Sequence, residues 1–194
     1  MIKNTTTRYG LLTIIIHWLV ALAVVGLFAL GYWMVDLNYY STWYQTAPNI
    51  HKSVGILLFT VMLVRVLARV FQQKPVPLEQ HSALEKKLAH TAHYLMYVGL
   101  FIIMLSGYLI STADGRPIEV FGLIEVPALG SFVENQEDIA GEIHEYFAYG
   151  LMVLVLLHAG AALKHHFIDK DQTLNRMLGR NKDTTFKKET EENL

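Results

Sequence analysis

The stretch LLTIIIHWLVALAVVGLFALGYWMV, residues 11–35, decides the fold class of this chain. It is apolar throughout, with little to interrupt it except His17 and two glycines. A helix needs about 20 such residues to cross the roughly 30 Å of a bilayer's hydrocarbon. Three more apolar runs follow, at Ile56–Val70 (continuing one from about His51), Leu88–Ile110 and Ile143–Leu163. Because backbone groups in lipid must bond to one another, these runs predict an all-α, integral membrane four-helix bundle.

The composition supports this class and narrows the chemistry. The chain has 194 residues, of which 53% are hydrophobic and 17% charged, whereas soluble domains carry about 25% charged residues. We predict one domain at 1–180, followed by a polar cytoplasmic tail at 181–194. A formal net charge of -1 gives no basic field for nucleic acid, so no nucleic-acid partner is expected. The absence of cysteine excludes disulfides, thiolate zinc sites and iron–sulfur clusters.

The distribution of Lys and Arg predicts the orientation of the bundle. These residues cluster before the first span, between the second and third spans, and after the fourth. They are Lys3, Arg8, Lys74, Lys86, Lys87, Lys170, Arg176, Arg180, Lys182, Lys187 and Lys188. By contrast, the long third connection, residues 111–142, carries only Arg116. The positive-inside rule therefore places both termini in the cytoplasm.

Histidines inside the spans are the candidate functional residues, because a polar group in hydrocarbon is costly without a partner. His144 and His158 are 14 residues apart in the fourth span, which puts both on one helix face about 21 Å apart along the axis. His51 starts the second span at the same depth as His144. His17 lies near the inner end of the first span, level with His158. We therefore predict an outer pair, His51 with His144, and an inner pair, His17 with His158.

Two stacked bis-imidazole sites in a four-helix bundle are what two haems b require. Two axial imidazoles saturate the iron, so that it moves electrons instead of binding oxygen. The four histidines are accordingly predicted as iron ligands. One alternative stays open: His93 also lies near the inner end of its span and competes with His17 or His158 as the inner ligand.

Two basic residues are predicted to bind the haem propionates. Arg65 follows His51 by 14 residues, and thus shares its helix face, and a guanidinium can pair with a carboxylate through two hydrogen bonds. Arg69 is better explained as reaching toward the inner headgroups, an interpretation that also remains open for Arg65. Lys52, beside His51, is predicted to neutralise an outer propionate or to meet headgroups.

Short motifs spread along the chain give it a family likeness. They are Arg8-Tyr9, His17-Trp18-Leu19, His51 with Gly55, Val64-Arg65-Val66-Leu67-Ala68-Arg69, Leu88-Ala89-His90-Thr91-Ala92-His93, His144-Glu145, Leu157-His158-Ala159-Gly160-Ala161-Ala162-Leu163-Lys164-His165-His166 and Asp171-Gln172-Thr173-Leu174-Asn175-Arg176-Met177. In this combination, from about Arg8 to Arg180, the chain resembles the bacterial cytochrome b561 family. That family is itself similar to the membrane cytochrome subunits of formate dehydrogenase and nickel–iron hydrogenase.

The resemblance implies two haems b, with His51 and His144 on the outer haem and His17 and His158 on the inner one. It also implies a multi-pass protein of the bacterial inner membrane that passes electrons between the periplasmic face and the quinone pool. One branch of the family is superoxide oxidase, which oxidises superoxide and reduces ubiquinone. The expected partners are therefore the lipid bilayer, quinone and superoxide.

Two other functions are weighed against the superoxide:ubiquinone oxidoreductase. The first is an electron-transfer subunit that relays electrons between quinone and a periplasmic redox protein, which the acidic third connection would suit. The second is a metal transporter, which the lack of Asp or Glu within the spans disfavours. The quinone site is open: His90, His93 and Arg65 are candidates near the inner haem, and tyrosines near the outer one.

Overall fold

The predicted four-helix bundle is confirmed. The structure, a computed structural model, describes residues 2–78 and 80–180, so the predicted tail at 181–194 lies outside the described residues. The elements are α1 (Leu11–Met34), α2 (Thr46–Phe71), α3 (Ala83–Thr112), β1 (Ile118–Val120), β2 (Ile124–Val126), α4 (Gln136–Phe167) and α5 (Thr173–Met177). Within the described residues, α1 to α4 are long and apolar enough to cross a membrane.

Three of the long helices extend beyond the apolar runs that predicted them. Helix α3 begins at Ala83 because Ser82 and Glu85 form a capping box. The Ser82 hydroxyl accepts a hydrogen bond from the Glu85 amide at 3.2 Å, and the Glu85 carboxylate accepts one from the Ser82 amide at 2.9 Å. Hydropathy marks only the part of a helix that suits hydrocarbon, and at α3 the capping box determines where the helix begins.

The bundle consists of two helix pairs. Helix α1 packs on α2 and α3 packs on α4, whereas α1 and α4 approach each other at few places. The buried core lies at mid-depth and comprises Val20, Val24, Leu58, Met62, Leu100 and Leu151. Large apolar side chains such as Leu22 and Leu156 point outward and are mostly exposed. A surface of this kind fits a lipid environment rather than water.

One end of the bundle, which we call the hairpin end, carries a structure that the sequence analysis treated as loop. Strands β1 and β2 form an antiparallel hairpin, turning through Phe121 and Gly122, which both have positive φ. The buried hydroxyl of Ser53, in α2, donates to the Glu119 carbonyl at 3.3 Å and accepts from the Phe121 amide at 3.0 Å. These two hydrogen bonds attach the hairpin to α2 at a position two residues from His51.

The opposite end, which we call the terminal end, gathers the two described ends of the chain and the connection between α2 and α3. The indole N–H of Trp18, in α1, donates to the Met177 carbonyl at 2.9 Å. The Arg176 guanidinium donates to the Val76 carbonyl at 2.9 Å. These contacts hold α5 against the beginning of α1 and the second connection. The Lys- and Arg-rich segments of the described chain thus meet at one end.

Candidate functional site

The structure brings together both histidine pairs that the sequence predicts. The ring centroids of His17 and His158 lie 6.2 Å apart, with ring planes inclined by 70°. Those of His51 and His144 lie 6.1 Å apart at 65°. In each pair one ring comes from the α1–α2 half and the other from α4. The imidazoles therefore face each other across the sparsely packed gap between the two helix pairs.

The spacing within each pair suits one metal centre between two imidazoles. A ring nitrogen lies about 1 Å from its ring centroid and forms metal bonds of about 2 Å, so two rings on opposite sides of one metal have centroids about 6 Å apart. The two pairs are separated along α4 by about 21 Å of helix rise. The geometry fits two separate sites at different depths.

His144 is held in the tautomer that a metal ligand requires. Its Nδ1 lies 2.8 Å from the carbonyl oxygen of Ile103, which can only accept, so Nδ1 carries the proton. The Nε2 lone pair is then available to a metal, an arrangement typical of ligating histidines. A β-carbon on Gly107 would lie only 3.0 Å from Cε1 of this ring. Glycine at this position therefore makes room for the imidazole.

His51, the partner of His144, has an unsatisfied polar atom. Its Nδ1 is buried and has no hydrogen-bond partner among the described residues. Buried polar groups are rarely left in this state unless a ligand, ion or water satisfies them. A β-carbon on Gly31 would lie 3.2 Å from Cε1 of His51, so this ring too packs against a glycine. Each ring of the outer pair therefore packs against the backbone of a neighbouring helix at a glycine.

Arg65 lies beside the inner pair, as its position on the helix predicts. Its Nε donates to the Tyr97 hydroxyl at 2.9 Å, and Nη2 lies 3.2 Å from Nδ1 of His17. Because a guanidinium has no acceptor, His17 Nδ1 must be the acceptor in that contact. The third nitrogen, Nη1, is buried without a partner among the described residues. An unpaired buried cationic donor suits a carboxylate ligand.

His93 contacts the inner pair but at a different spacing. Its ring centroid lies 5.2 Å from that of His158, which is shorter than the spacing of the two predicted pairs. His93 also lines a cavity of about 430 Å³ between α2 and α3. Arg69, His90 and Tyr97 line the same cavity. His93 therefore lies between the inner pair and this cavity.

The other predicted residues lie at the two ends of the bundle. Lys52 is half-buried beside His51 at the hairpin end and makes no hydrogen bond or ion pair within residues 2–78 and 80–180. Arg69 is exposed, with its guanidinium 5.6 Å from the Tyr97 ring centroid. This position suits the predicted reach toward headgroups.

Two residues that shape these sites were missed by the sequence analysis. Tyr97, which links Arg65 and Arg69, follows His93 by four residues, a spacing that puts both on one face of α3. Gly107 is an isolated glycine in an apolar helix, a signal of close approach that is visible in the sequence. What it approaches depends on how α3 packs against α4, which the sequence does not reveal.

Comparison with known proteins assigns the family. The model of the prokaryotic cytochrome b561 family matches residues 8–180. The chain is 51% identical to cytochrome b561 homolog 2 of Escherichia coli over 177 residues, covering 91% of this chain and 94% of that protein.

Two more distant relatives match over a similar length. The probable superoxide oxidase CybB of Yersinia pestis is 30% identical over 173 residues, covering 88% of this chain and 96% of that one. Cytochrome b561 homolog 1 of Escherichia coli is 29% identical over 182 residues, covering 90% and 99%. The chain therefore belongs to the prokaryotic cytochrome b561 family, whose members are haem b-binding electron-transfer proteins of the membrane.

Proposed function

We propose that the chain is a dihaem cytochrome b, with one haem between His17 and His158 and the other between His51 and His144. The observation that carries this proposal is the presence of two imidazole pairs, each with centroids about 6 Å apart, at two depths of the bundle. A bis-imidazole haem iron accepts and releases one electron and has no position for oxygen. The mid-depth core, which includes Val24, Leu58 and Leu151, lies between the two sites.

The chain's own residues prepare each site differently. At the outer site, the Ile103 carbonyl fixes the His144 tautomer. At the inner site, His17 Nδ1 accepts from Arg65, so the proton of the neutral ring is on Nε2. Ligation through Nε2 requires that Arg65 release this contact. Its guanidinium would then donate to a haem propionate, with Nη1 already unpaired.

The proposed orientation places the terminal end in the cytoplasm and the hairpin end in the periplasm. The basic segments of the described chain meet at the terminal end, as the positive-inside rule requires for the cytoplasmic face. Four membrane-length helices in a prokaryotic membrane cytochrome family indicate the bacterial inner membrane. In this orientation the outer site, His51 with His144, lies near the periplasm.

The proposed reaction is superoxide:ubiquinone oxidoreduction. Two superoxide anions each give up one electron and leave as dioxygen, and the two electrons with two protons convert one ubiquinone to ubiquinol. The support is the likeness over most of both chains to a protein named as a probable superoxide oxidase. The apolar bundle also offers quinone a site that can be reached from the bilayer.

We place the ubiquinone headgroup in the cavity beside His93. Its volume of about 430 Å³ lies in the usual range for small-molecule sites of about 300–1,000 Å³. The lining includes Tyr94 and Leu105, which are more than half exposed on the outer face of the bundle, so the cavity opens toward lipid. His93 and Tyr97 provide polar groups for the quinone oxygens. Arg65 contacts Tyr97 from the bundle interior and is not part of the lining.

Arg116 and Lys52, both at the hairpin end, are the two candidates for attracting the superoxide anion. Arg116 is exposed and forms an ion pair with Asp114, two residues earlier. The hydrogen bond from Arg116 holds the pKa of Asp114 below its usual range, so the pair has no net charge at neutral pH. Lys52 has no such partner among the described residues. We therefore assign the attraction of the anion to Lys52 and not to Arg116.

The alternative function, a relay between quinone and a periplasmic redox protein, has its own support. The hairpin carries Glu119 and Glu125, and Leu123 at its turn is 85% exposed. An apolar tip with acidic neighbours suits a basic partner protein. If the chain is such a relay, the purified protein alone would not use superoxide to reduce quinone.

Removing single ligands tests the haem assignment. We expect His17→Ala and His51→Ala each to lower the haem b content from two to one per chain, because a haem with one axial ligand is held far less tightly. The control His93→Phe should retain both haems. The measurement is haem per purified chain with the optical spectrum. If His93→Phe loses a haem and His17→Ala does not, the inner pairing is wrong.

Overpacking one glycine tests the outer site without removing a ligand. Gly107→Ala places a methyl group 3.0 Å from the His144 ring, and overpacking of this kind costs about 1–3 kcal/mol. We expect faster release of one haem of the two to excess apomyoglobin. Gly99→Ala is the matched control on the same helix, since its β-carbon would meet Leu151 at an ordinary 4.0 Å. Equal release rates in the two variants would contradict the assignment.

Neutralising each basic residue tests the substrate. We expect the purified dihaem protein to reduce ubiquinone when superoxide is generated, and Lys52→Gln to lower the second-order rate severalfold at low salt, because steering of the anion is weakened. Arg116→Gln should leave the rate nearly unchanged. Stopped-flow consumption of superoxide and quinol formation provide the measurement. If superoxide yields no quinol in the wild-type protein, the relay function replaces this one.

A further inference from the structure

A second cluster of histidines lies at the terminal end, outside the two imidazole pairs. His81 comes from the connection before α3, His165 from the last turn of α4, and Asp171 from the segment before α5. His165 follows His158 by seven residues, which places it about 10 Å farther along the helix axis. The cluster therefore belongs to neither haem site, and it joins three segments of the chain.

The three side chains converge on one buried carboxylate oxygen. Asp171 Oδ2 lies 2.8 Å from Nε2 of His81 and 3.0 Å from Nδ1 of His165. The two rings lie 4.6 Å apart. The Asp171 side chain is 1% exposed, and those of His81 and His165 are 18% and 14% exposed. The two nitrogens and the oxygen all lie within 4.8 Å of one another, in a mostly buried position.

Hydrogen bonding does not fully satisfy this cluster. Nδ1 of His165 is buried and makes no well-directed hydrogen bond with the described residues. It makes none although Asp169 Oδ2 and Asp171 Oδ2 lie only 2.8 and 3.0 Å away, because neither oxygen lies along the direction of the ring nitrogen's bond. A bound ion can provide the partner that this buried ring nitrogen lacks.

The surroundings orient the carboxylate and leave its charge available. The second oxygen of Asp171, Oδ1, accepts from the Thr173 amide at 2.7 Å, which turns Oδ2 toward the imidazoles. Lys164 pairs with Asp169 at 2.7 Å and with Glu85 at 3.2 Å. No Lys or Arg of residues 2–78 and 80–180 pairs with Asp171. Among these residues, the ion-pair partners of Asp171 are the imidazoles of His81 and His165.

We propose that His81 Nε2, His165 Nδ1 and Asp171 Oδ2 bind a divalent transition-metal ion of the zinc class. Two imidazoles and one carboxylate are ligands that zinc prefers, and three protein ligands leave a fourth position for water. At metal–ligand bonds of about 2.0–2.1 Å, tetrahedral donors lie roughly 3.3 Å apart, so each imidazole nitrogen must move away from Asp171 Oδ2 by only a few tenths of an ångström.

The proposed ion has a structural role that follows from its ligands. It joins the second connection, the end of α4 and the start of α5, and so closes the terminal end beneath the inner pair. Zinc has no redox chemistry, so the ion takes no part in electron transfer. The proposal does not depend on the haem assignment.

The test measures zinc binding to the haem-loaded protein without a polyhistidine tag. Equilibrium dialysis against buffered Zn²⁺, with zinc and iron determined together, should give one zinc per chain. We expect His81→Gln and His165→Gln to weaken zinc affinity at least tenfold, since loss of an outer hydrogen-bond partner alone costs about 10–100-fold. His166→Gln, the adjacent residue on α4, is the matched control and should bind zinc as the wild type does.

Two additional measurements distinguish the loss of the zinc site from the instability of a variant. X-ray absorption at the zinc edge should show nitrogen and oxygen neighbours with imidazole scattering. Zinc should also raise the Tm of the wild type and of His166→Gln, but not of His81→Gln. The proposal is overturned if the wild type binds no stoichiometric zinc at micromolar concentration, or if all variants bind it equally, in which case the cluster is a hydrogen-bond network alone.

Discussion

The rest of this structure depends on the burial of imidazole groups inside an apolar bundle. Each of the four paired histidines sits where a lone polar ring would cost several kcal/mol, because lipid and aliphatic side chains offer it no hydrogen bonds. Part of this cost is offset by the Ile103 carbonyl, which accepts from His144, and by Arg65, which donates to His17. We propose that a haem iron is the remaining partner that each ring requires.

This constraint also explains where the helices pack and where they do not. Helices α1 and α2 pack closely, as do α3 and α4, whereas α1 and α4 meet at few places. The mid-depth core of Val20, Leu58, Met62 and Leu151 joins the halves between the two sites. Glycine at positions 31 and 107 lets helix backbone approach the outer imidazoles. The bundle thus packs closely at mid-depth and places one imidazole pair on each side of this core.

Hydropathy predicted the fold, and the depths of the histidines along the spans predicted which rings would lie close together. Depth did not choose between His17 and His93, and the His93 ring lies closer to His158, at 5.2 Å against 6.2 Å. Hydropathy and depth can both be read directly from the sequence, since the rise per residue of a helix converts sequence spacing into depth in the membrane. The hairpin around Phe121 could not be predicted this way, because it depends on two hydrogen bonds to Ser53 in another helix. The convergence of His81, His165 and Asp171 was missed for the same reason. Surface loops meet only through the packing of distant segments.

The central claim is that this chain holds two bis-imidazole haems, and the haem content of the purified protein tests it most directly. A pyridine haemochrome assay on the detergent-solubilised chain, normalised to protein by amino-acid analysis, should give two haems b per chain. The spectrum should be that of a six-coordinate, low-spin iron. A folded preparation with one haem per chain would show that one pairing does not bind iron, and one without haem would contradict the account entirely.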